Sequence, residues 1–210
     1  MQPEVSERFG MERSNSVRNP IVPDFKITKN EGGVRVDVTQ YKQMVGSLMY
    51  VTVTRPDLMF VVSLVSRYME KLTELHMQTI KRILRHVRGT VELGVCYKEG
   101  ANSGEELVAF SNSDYAGNVD DRRSTSGYVF MLSNGVVAWS SKKQPVVTLS
   151  TIEAEFISAA SYACQGVWMR RVLENLGCKQ SKSTIIFCDN SSTIKLSRNP
   201  VMHDQIPFSS

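Results

Sequence analysis

The sequence lacks features that would assign it to a membrane, secretory or zinc-binding class. It contains no run of about 18 apolar residues, so we expect no transmembrane helix. The stretch from Met1 to Pro20 is polar and has no apolar signal-peptide core, which predicts a cytoplasmic or nuclear location. Its 4 cysteines are widely spaced and form no Cys-x-x-Cys pair, so on spacing alone neither a zinc site nor a dense disulfide framework is expected.

The sequence also has little excess of charge of either sign. Lys and Arg total 25 against 21 Asp and Glu, which gives a formal net charge of +4. The 41% hydrophobic and 22% charged content is ordinary for a globular chain of 210 residues. A small positive excess permits a polyanionic partner without requiring one, so the placement of the charges matters more than their sum.

The first half of the chain has helical periodicity after a polar lead-in. Residues 1–36 include prolines and a Gly-Gly pair that disfavour helix, which predicts an extended lead-in. Residues 37–92 repeat apolar side chains with helical spacing. Pro56 suits a first helical turn, Thr73 a cap, and Gly89 a helix end.

The second half predicts an α+β fold. From residue 93 the apolar period changes to two, in four short runs between Leu93 and Lys143. A long helix follows over about 150–176, then an apolar run that ends in Asp189, then a short helix, so the last six predicted elements are β-β-β-α-β-α. The residues expected on the buried face of the long helix are Ile152, Phe156, Ala159, Ala163, Val167 and Leu173.

Acidic residues accompany these elements in an order typical of two-metal phosphodiester cleavage. That chemistry needs several carboxylates converging on ions about 4 Å apart, and Mg²⁺ prefers oxygen ligands. The candidates are the 112/114 region at a strand end, Glu153 or Glu155 early in the long helix, and Asp189. Each acid by itself fits a structural role equally well, and Glu153 in particular would complement the helix dipole.

Longer motifs in this order resemble the C-terminal part of copia-type long-terminal-repeat retrotransposon Pol polyproteins. The motifs are "YKQMVGSLMYVTVTRPDLMFVVSLVSRYME", "KRILRHVRGT", "SDYAG…DDRRSTSGYVF", "WSSKKQPVVTLSTIEAEFISAA" and "CDNSSTIKLSRNPVMH", and they extend from about Ser14 to His203. The resemblance implies a helical reverse transcriptase connection region over 37–92. It also implies an RNase H-like mixed sheet with helices over 93–203.

The same resemblance assigns roles to the acids. Asn112 occupies the place of the family's leading metal ligand, and Asp114 matches the acid two residues later. Glu155 matches the catalytic glutamate, and Asp189 matches the third ligand. The family's fourth acid follows the "NPVMH" motif, where this chain reads "MHDQIPFSS", so a truncated fold and a divergent tail over 204–210 are expected. The resemblance therefore implies a degenerate RNase H without efficient cleavage, with Mg²⁺ as its cofactor if any activity remains.

The helix around "KRILRHVRG" is strongly basic. Its cations are Lys81, Arg82, Arg85 and Arg88. In the family this helix faces the template–primer duplex, which implies an RNA–DNA hybrid or another nucleic acid as partner. A solvated polar face remains an equally good interpretation.

An unrelated motif lies in the same helix. Arg82-Ile83-Leu84-Arg85 fits the RxLR pattern of secreted oomycete effectors, with Glu105 and Glu106 following like the acidic motif that often accompanies it. The alternative function is therefore a non-enzymatic effector that is secreted into a host plant cell and binds a host protein, for example to suppress cell death. The absence of a visible signal peptide and the helical role expected of Leu84 count against this alternative.

Overall fold

The computed structural model describes residues 5, 7–23, 25–29, 32–97 and 106–199. The chain divides into two compact units, Met1–Val95 and Cys96–Ser210. The predicted tail over 204–210 and the "NPVMH" motif from Pro200 onward lie outside the described residues. Within the described part, no helix is long and apolar enough to cross a membrane.

The N-terminal unit is built from helices whose ends follow local sequence signals. Asp37 caps the first helix by accepting from the N–H of Thr39, Pro56 opens a short 3₁₀ turn, and Thr73 caps the last helix through a capping box with His76. The elements are α1 (Val38–Val51), the 3₁₀ turn Pro56–Leu58, α2 (Met59–Val65) and α3 (Glu74–Gly89). The first-turn position predicted for Pro56 and the cap predicted at Thr73 are thus confirmed.

The core of this unit is almost entirely apolar. Ile80, Leu84 and Val87, which repeat with helical spacing along α3, are fully buried. Beside them lies one buried cation, Arg55, which pairs with Asp57 at 2.7 Å and donates to the carbonyl of Thr90 at 2.8 Å. Because the guanidinium is paired and hydrogen-bonded, its burial is tolerated.

The C-terminal unit contains a four-stranded mixed sheet. The strand order is β3-β2-β1-β4, with β1–β2 and β2–β3 antiparallel and β1–β4 parallel. This order, with a helix crossing between β3 and β4, is consistent with an RNase H-like α+β fold. The elements are β1 (Leu107–Ser113), β2 (Thr125–Leu132), β3 (Gly135–Lys143), α4 (Thr151–Asn175), β4 (Ile185–Phe187) and α5 (Ser191–Arg198).

One predicted strand does not form over those of its residues that the structure describes. The run that begins at Leu93 forms no strand through Tyr97, and residues 98–105 lie outside the described ranges. Leu93 and Tyr97 are 54% and 64% exposed, so their apolar alternation is not used to bury one face. The hydroxyl of Tyr97 donates to the carbonyl of Val136 at 2.7 Å, and its ring lies against Gly135 at the start of β3.

The face that α4 buries differs from the prediction. Of the expected stripe, Ile152, Ala163 and Val167 are exposed, and Leu173 is the one buried member. The helix carries apolar residues on more than one face, so periodicity alone does not select the buried one. The observed buried residues are Ala154, Glu155, Ser158, Tyr162, Gly166, Met169 and Leu173.

This buried face of α4 packs on one side of the sheet. Its C-terminal half meets Leu107, Ala109 and Phe130 in an apolar cluster, and the ring of Phe130 lies against Gly166. Its N-terminal half is polar instead. The α4 crossing therefore places Glu155 at the end of β1 while the apolar half anchors the helix.

Candidate functional site

Three side chains with metal-binding atoms converge in the C-terminal unit. Glu155 projects from the buried face of α4, and Cys188 and Asp189 directly follow β4. Within the described residues, one ligand atom from each of the three lies within 4.8 Å of the others. Asn190 caps α5 by accepting from the N–H of Thr193, which fixes where Cys188 and Asp189 leave the sheet.

The carboxylate of Glu155 is buried and held in place. The residue is 5% exposed. Its Oε1 accepts from the backbone N–H of Ser113 at 2.8 Å, and its Oε2 accepts from the thiol of Cys188 at 3.7 Å. In the described part of the chain, no Lys, Arg or His forms an ion pair with it. A buried carboxylate in this state is unfavourable, so a bound cation would be stabilised here.

The pKa shifts of Glu155 and Cys188 also favour a bound cation. Burial is the largest cause that raises the pKa of Glu155, the N–H of Ser113 partly opposes it, and nearby Asp189 raises it further. Burial also raises the pKa of the Cys188 thiol, with the N–H of Asn190 acting the other way and the charge of Glu155 adding to the rise. Both shifts show that the pocket disfavours additional negative charge, which a divalent cation would offset.

Asn112 lies on β1 beside this cluster. The parallel register pairs Phe110 with Phe187, and continuing it by two residues puts Asn112 level with Asp189. The backbone carbonyl of Asn112 accepts from the hydroxyl of Ser158 at 3.3 Å, and the residue itself is exposed. Its side chain supplies an amide oxygen but no charge at this position.

Asp114 has a local structural role. Its Oδ1 accepts from the backbone N–H of Thr125, and its N–H donates to the carbonyl of the same residue at 3.1 Å. Gly117 allows the carboxylate to approach closely, since a Cβ built there would lie 2.2 Å from Oδ2. Asp114 is not a member of the cluster formed by Glu155 and its neighbours in the described residues, and its role as a metal ligand stays a prediction.

Glu153, the other candidate acid of α4, acts as a helix cap. Its carboxylate accepts from the N–H of Leu149 at 2.7 Å, and its own N–H donates to the hydroxyl of Ser150 at 3.1 Å. This reciprocal pair satisfies two donors at the helix start. The structural interpretation therefore accounts for Glu153, and the site is left to Glu155.

Gln144 organises the site, and sequence reasoning missed it. The residue is 4% exposed, and its Nε2 donates at 2.8 Å to both the hydroxyl of Ser126 and the carbonyl of Ala154. It also donates to the hydroxyl of Ser113 at 3.3 Å. Gln144 thus holds both sides of the Glu155–Ser113 hydrogen bond. It binds Ser113 itself, and it binds Ala154, the residue before Glu155. The only sequence signal was an uncharged polar residue directly after a strand.

In the N-terminal unit, the basic side chains of α3 hold the lead-in. Arg82 donates from Nε to the carbonyl of Asn19 at 3.1 Å, and Arg85 donates from Nε to that of Asn15 at 2.7 Å. Lys81 is exposed and Arg88 half-buried. A cleft of about 520 Å³ next to these contacts is lined by Met11, Ile21, Val22, Phe25, Leu75, Gln78, Thr79, Lys81, Arg82 and Arg85. Nucleic-acid binding by this face stays a prediction.

The RxLR pattern is largely part of the helical core. Ile83 and Leu84 are fully buried, while Arg82 and Arg85 contact the lead-in. Glu105 lies outside the described residues, and Glu106 pairs with Lys182 at 2.5 Å. In this folded unit the motif is not presented as an exposed linear segment.

Comparisons with known proteins give a consistent family. No family model matches this chain, and no solved structure is significantly similar to it. The retrovirus-related Pol polyprotein from transposon RE1 of Arabidopsis thaliana is 38% identical over 199 residues, which are 95% of this chain and 13% of that protein. The corresponding polyprotein from transposon TNT 1-94 of Nicotiana tabacum is 37% identical over 206 residues, 95% of this chain and 15% of that protein.

A relative with a different name matches a shorter part. Secreted RxLR effector protein 161 of Plasmopara viticola is 39% identical over 130 residues, which are 61% of this chain and 90% of that protein. The Pol polyproteins match nearly the whole chain, but the chain spans only 13% to 15% of their length.

Proposed function

The chain belongs to the copia-type retrovirus-related Pol polyproteins of transposons, and on this premise we propose that its C-terminal unit is a degenerate RNase H-like unit. It binds a divalent cation and an RNA–DNA hybrid but cleaves the RNA strand inefficiently. One observation carries this proposal. Buried Glu155 lies next to Asp189 without a cationic partner in the described residues, and the β1–β4 register, continued two residues past its last pair, puts the amide Asn112 level with Asp189.

The residues present fit Mg²⁺. Glu155 and Asp189 would hold it through carboxylate oxygens, with Asp114 as the remaining candidate ligand. When bound, Mg²⁺ supplies Lewis-acid activation of the scissile phosphate and of the attacking water. The N–H of Ser113 orients Glu155, and exposed Asp189 keeps the site open to a substrate.

Inefficient cleavage follows from the amide at position 112. An amide oxygen can ligate a metal ion, but it neutralises none of the ion's charge. Loss of one bridging carboxylate from a two-metal site is expected to lower the rate by several orders of magnitude, because such sites act chiefly by electrostatic stabilisation.

The basic face of α3, in the N-terminal unit, is proposed to contact nucleic-acid phosphates. Among the residues that the structure describes, Arg82 and Arg85 each donate to a lead-in carbonyl from Nε, so their terminal guanidinium nitrogens are proposed to meet phosphate oxygens. Lys81 and Arg88 add two further positive charges on the same helix.

A cleavage assay with a labelled RNA–DNA hybrid and Mg²⁺ tests the proposal. The wild-type chain is compared with Asn112→Asp, with Glu155→Gln, and with the control Asn134→Asp, which makes the same charge change in the exposed turn between β2 and β3. We expect weak wild-type cleavage, a gain of roughly 10²-fold or more in Asn112→Asp, and no gain in the control. Glu155→Gln should abolish whatever cleavage remains.

Two results would contradict the proposal. Efficient wild-type cleavage that is lost in Glu155→Gln would show that the unit is not degenerate. An Asn112→Asp variant that is no more active than the wild type would show that the missing charge at this position is not what limits the rate.

An effector function is not proposed. Its central motif residues Ile83 and Leu84 are buried in the core of the N-terminal unit. The similarity to the effector covers 61% of the chain, against 95% for the polyproteins.

A further inference from the structure

The thiol of Cys188 is the member of the acidic cluster that magnesium chemistry does not use. We infer that Glu155, Cys188 and Asp189 form a three-ligand site for a thiophilic divalent cation of the zinc class. This inference rests on the proposed metal site and adds a sulfur ligand to it. Mg²⁺ selects oxygen donors, whereas zinc takes thiolate and carboxylate together.

The spacing of the donor atoms suits this class of ion. The Sγ of Cys188 lies 3.7 Å from Oε2 of Glu155. Zinc–sulfur and zinc–oxygen bonds of ordinary length that meet at a tetrahedral angle separate the two donors by roughly 3.6 Å. A carboxylate oxygen of Asp189 lies within 4.8 Å of the Cys188 sulfur and of a Glu155 carboxylate oxygen. The Cys188 sulfur and Oε2 of Glu155 are thus already at the separation that a tetrahedral zinc site requires.

The charge of the pocket gives a second, independent reason. Outside the cluster, the one hydrogen bond to Glu155 in the described part of the chain comes from the N–H of Ser113, and it goes to Oε1. Among the described residues, the one hydrogen bond to Oε2 of this 5% exposed residue comes from the thiol of Cys188. The carboxylate of Asp189, next to Glu155, adds a second negative charge. The buried oxygen is therefore available to a cation and would be stabilised by one.

The site is open enough for a bound ion to exchange with solvent, and zinc and Mg²⁺ would compete for it. The thiol must lose its proton, which passes to solvent. Asp189 is exposed, so ion and water can reach the fourth coordination position, as in zinc sites with three protein ligands. Zinc and Mg²⁺ would both use Glu155 and Asp189. Zinc is therefore expected to displace Mg²⁺ from the site.

Cobalt binding to the full chain tests the sulfur ligand directly. Co²⁺ serves as the spectroscopic probe for zinc, because a coordinated thiolate gives a charge-transfer absorption that oxygen ligands do not. Cys188→Ser is compared with the matched control Cys164→Ser, which changes an exposed thiol of α4. Mn²⁺ binding, followed by the loss of its free electron paramagnetic resonance signal, measures the oxygen-ligand site in the same proteins.

We expect the charge-transfer band in the wild type and in Cys164→Ser, with about one ion bound per chain. In Cys188→Ser the band should disappear and zinc affinity should fall by about 10-fold or more, by the loss of one ligand. Mn²⁺ affinity should change by less than about 2-fold, because magnesium-class ions prefer oxygen to sulfur ligands.

Failure of this inference differs from failure of the proposed function. No thiolate band in the wild type, or a band that persists in Cys188→Ser, overturns the sulfur ligand even if Mn²⁺ binds. A band that depends on Cys188, without Mn²⁺ binding or hybrid cleavage, supports the sulfur ligand and contradicts the proposed magnesium site.

Discussion

Helices α3 and α4 both bury one face against their own unit, but the two faces differ in chemistry. The buried stripe of α3 is apolar along most of its length and was predicted from periodicity. The buried face of α4 carries Glu155, Ser158 and Tyr162 in its N-terminal half, and periodicity predicted the wrong face. A face made of apolar residues stabilises a core, whereas a face with buried polar groups must be held by specific partners.

The partners of α4 belong to the candidate site. Glu155 accepts from Ser113, Ser158 donates to the carbonyl of Asn112, and Gln144 binds the carbonyl of Ala154. The two halves of α4 therefore have different roles, one in stabilising the unit and the other in positioning Glu155. Its C-terminal half packs on Phe130, and its N-terminal half presents Glu155 to the end of β1.

The largest effect is expected where the two helices differ most in burial. Leu84→Ala removes a fully buried side chain from α3 and should cost about 2–5 kcal/mol of unfolding free energy. Val167→Ala, in a position of α4 that periodicity placed in the core, should change it by less than about 0.5 kcal/mol because Val167 is 53% exposed. Urea unfolding followed by circular dichroism measures both.

Hydrogen exchange, followed amide by amide, is the control for this comparison. Hydrogen exchange should show lost protection in α3 for Leu84→Ala while the amides of the C-terminal unit keep theirs. A large loss of stability in Val167→Ala would instead mean that the predicted stripe of α4 is the buried one.

A smaller effect is expected at the polar end of α4. Gln144→Leu removes the donor that binds Ser113 and Ala154, on either side of the Glu155–Ser113 hydrogen bond. Residues that orient a metal ligand typically contribute about 10- to 100-fold in affinity, so Mn²⁺ binding should weaken by that amount. Titration of the full chain with Mn²⁺ provides the measurement.

Gln43→Leu is the matched control, since Gln43 is exposed on α1. It should leave Mn²⁺ affinity unchanged. If Gln144→Leu binds Mn²⁺ as tightly as the wild type, Gln144 has only a packing role and does not position Glu155.

Local signals in the sequence predicted the elements and the acids, but not their surroundings. Thr73 begins α3 through its capping box with His76, Gly89 is the last residue of that helix, and the order of elements around Asp189 follows from apolar runs. Gln144 and Cys188 depend on which residues the sheet register and the α4 crossing bring together. Such contacts join distant parts of the chain, and no local period encodes them. The Leu93 run alternated like a strand, but the described part of it forms no strand pairing.

The smallest effects concern two acids in opposite environments, one in each unit. Asp57 pairs with Arg55, and although burial alone raises its pKa, the hydrogen bond and charge of the guanidinium lower it overall. Glu155 has no such cation among the described residues, and burial together with Asp189 raises its pKa. The two carboxylates should therefore contribute to stability with opposite dependence on pH.

The signs follow from proton binding in the folded and unfolded states. Folded Asp57 binds its proton less readily than in the unfolded chain, so its stabilising contribution is present at neutral pH. That contribution is lost as the pH falls through the lowered pKa. Folded Glu155 binds its proton more readily, so its contribution is present in acid and is lost as the pH rises from the ordinary glutamate pKa through the raised one.

Stability measured against pH for Asp57→Asn and Glu155→Gln tests this difference. Relative to the wild type, Asp57→Asn should be least stable at neutral pH and approach it in acid. The effect is small and falls in high salt because the Asp57 side chain is 48% exposed. Glu155→Gln should gain relative stability as the pH rises above the ordinary glutamate pKa. Saturating Mg²⁺ should reverse that gain, because the ion stabilises the ionised wild-type carboxylate. A pH dependence of Glu155→Gln that Mg²⁺ does not alter would mean that Glu155 does not hold the ion.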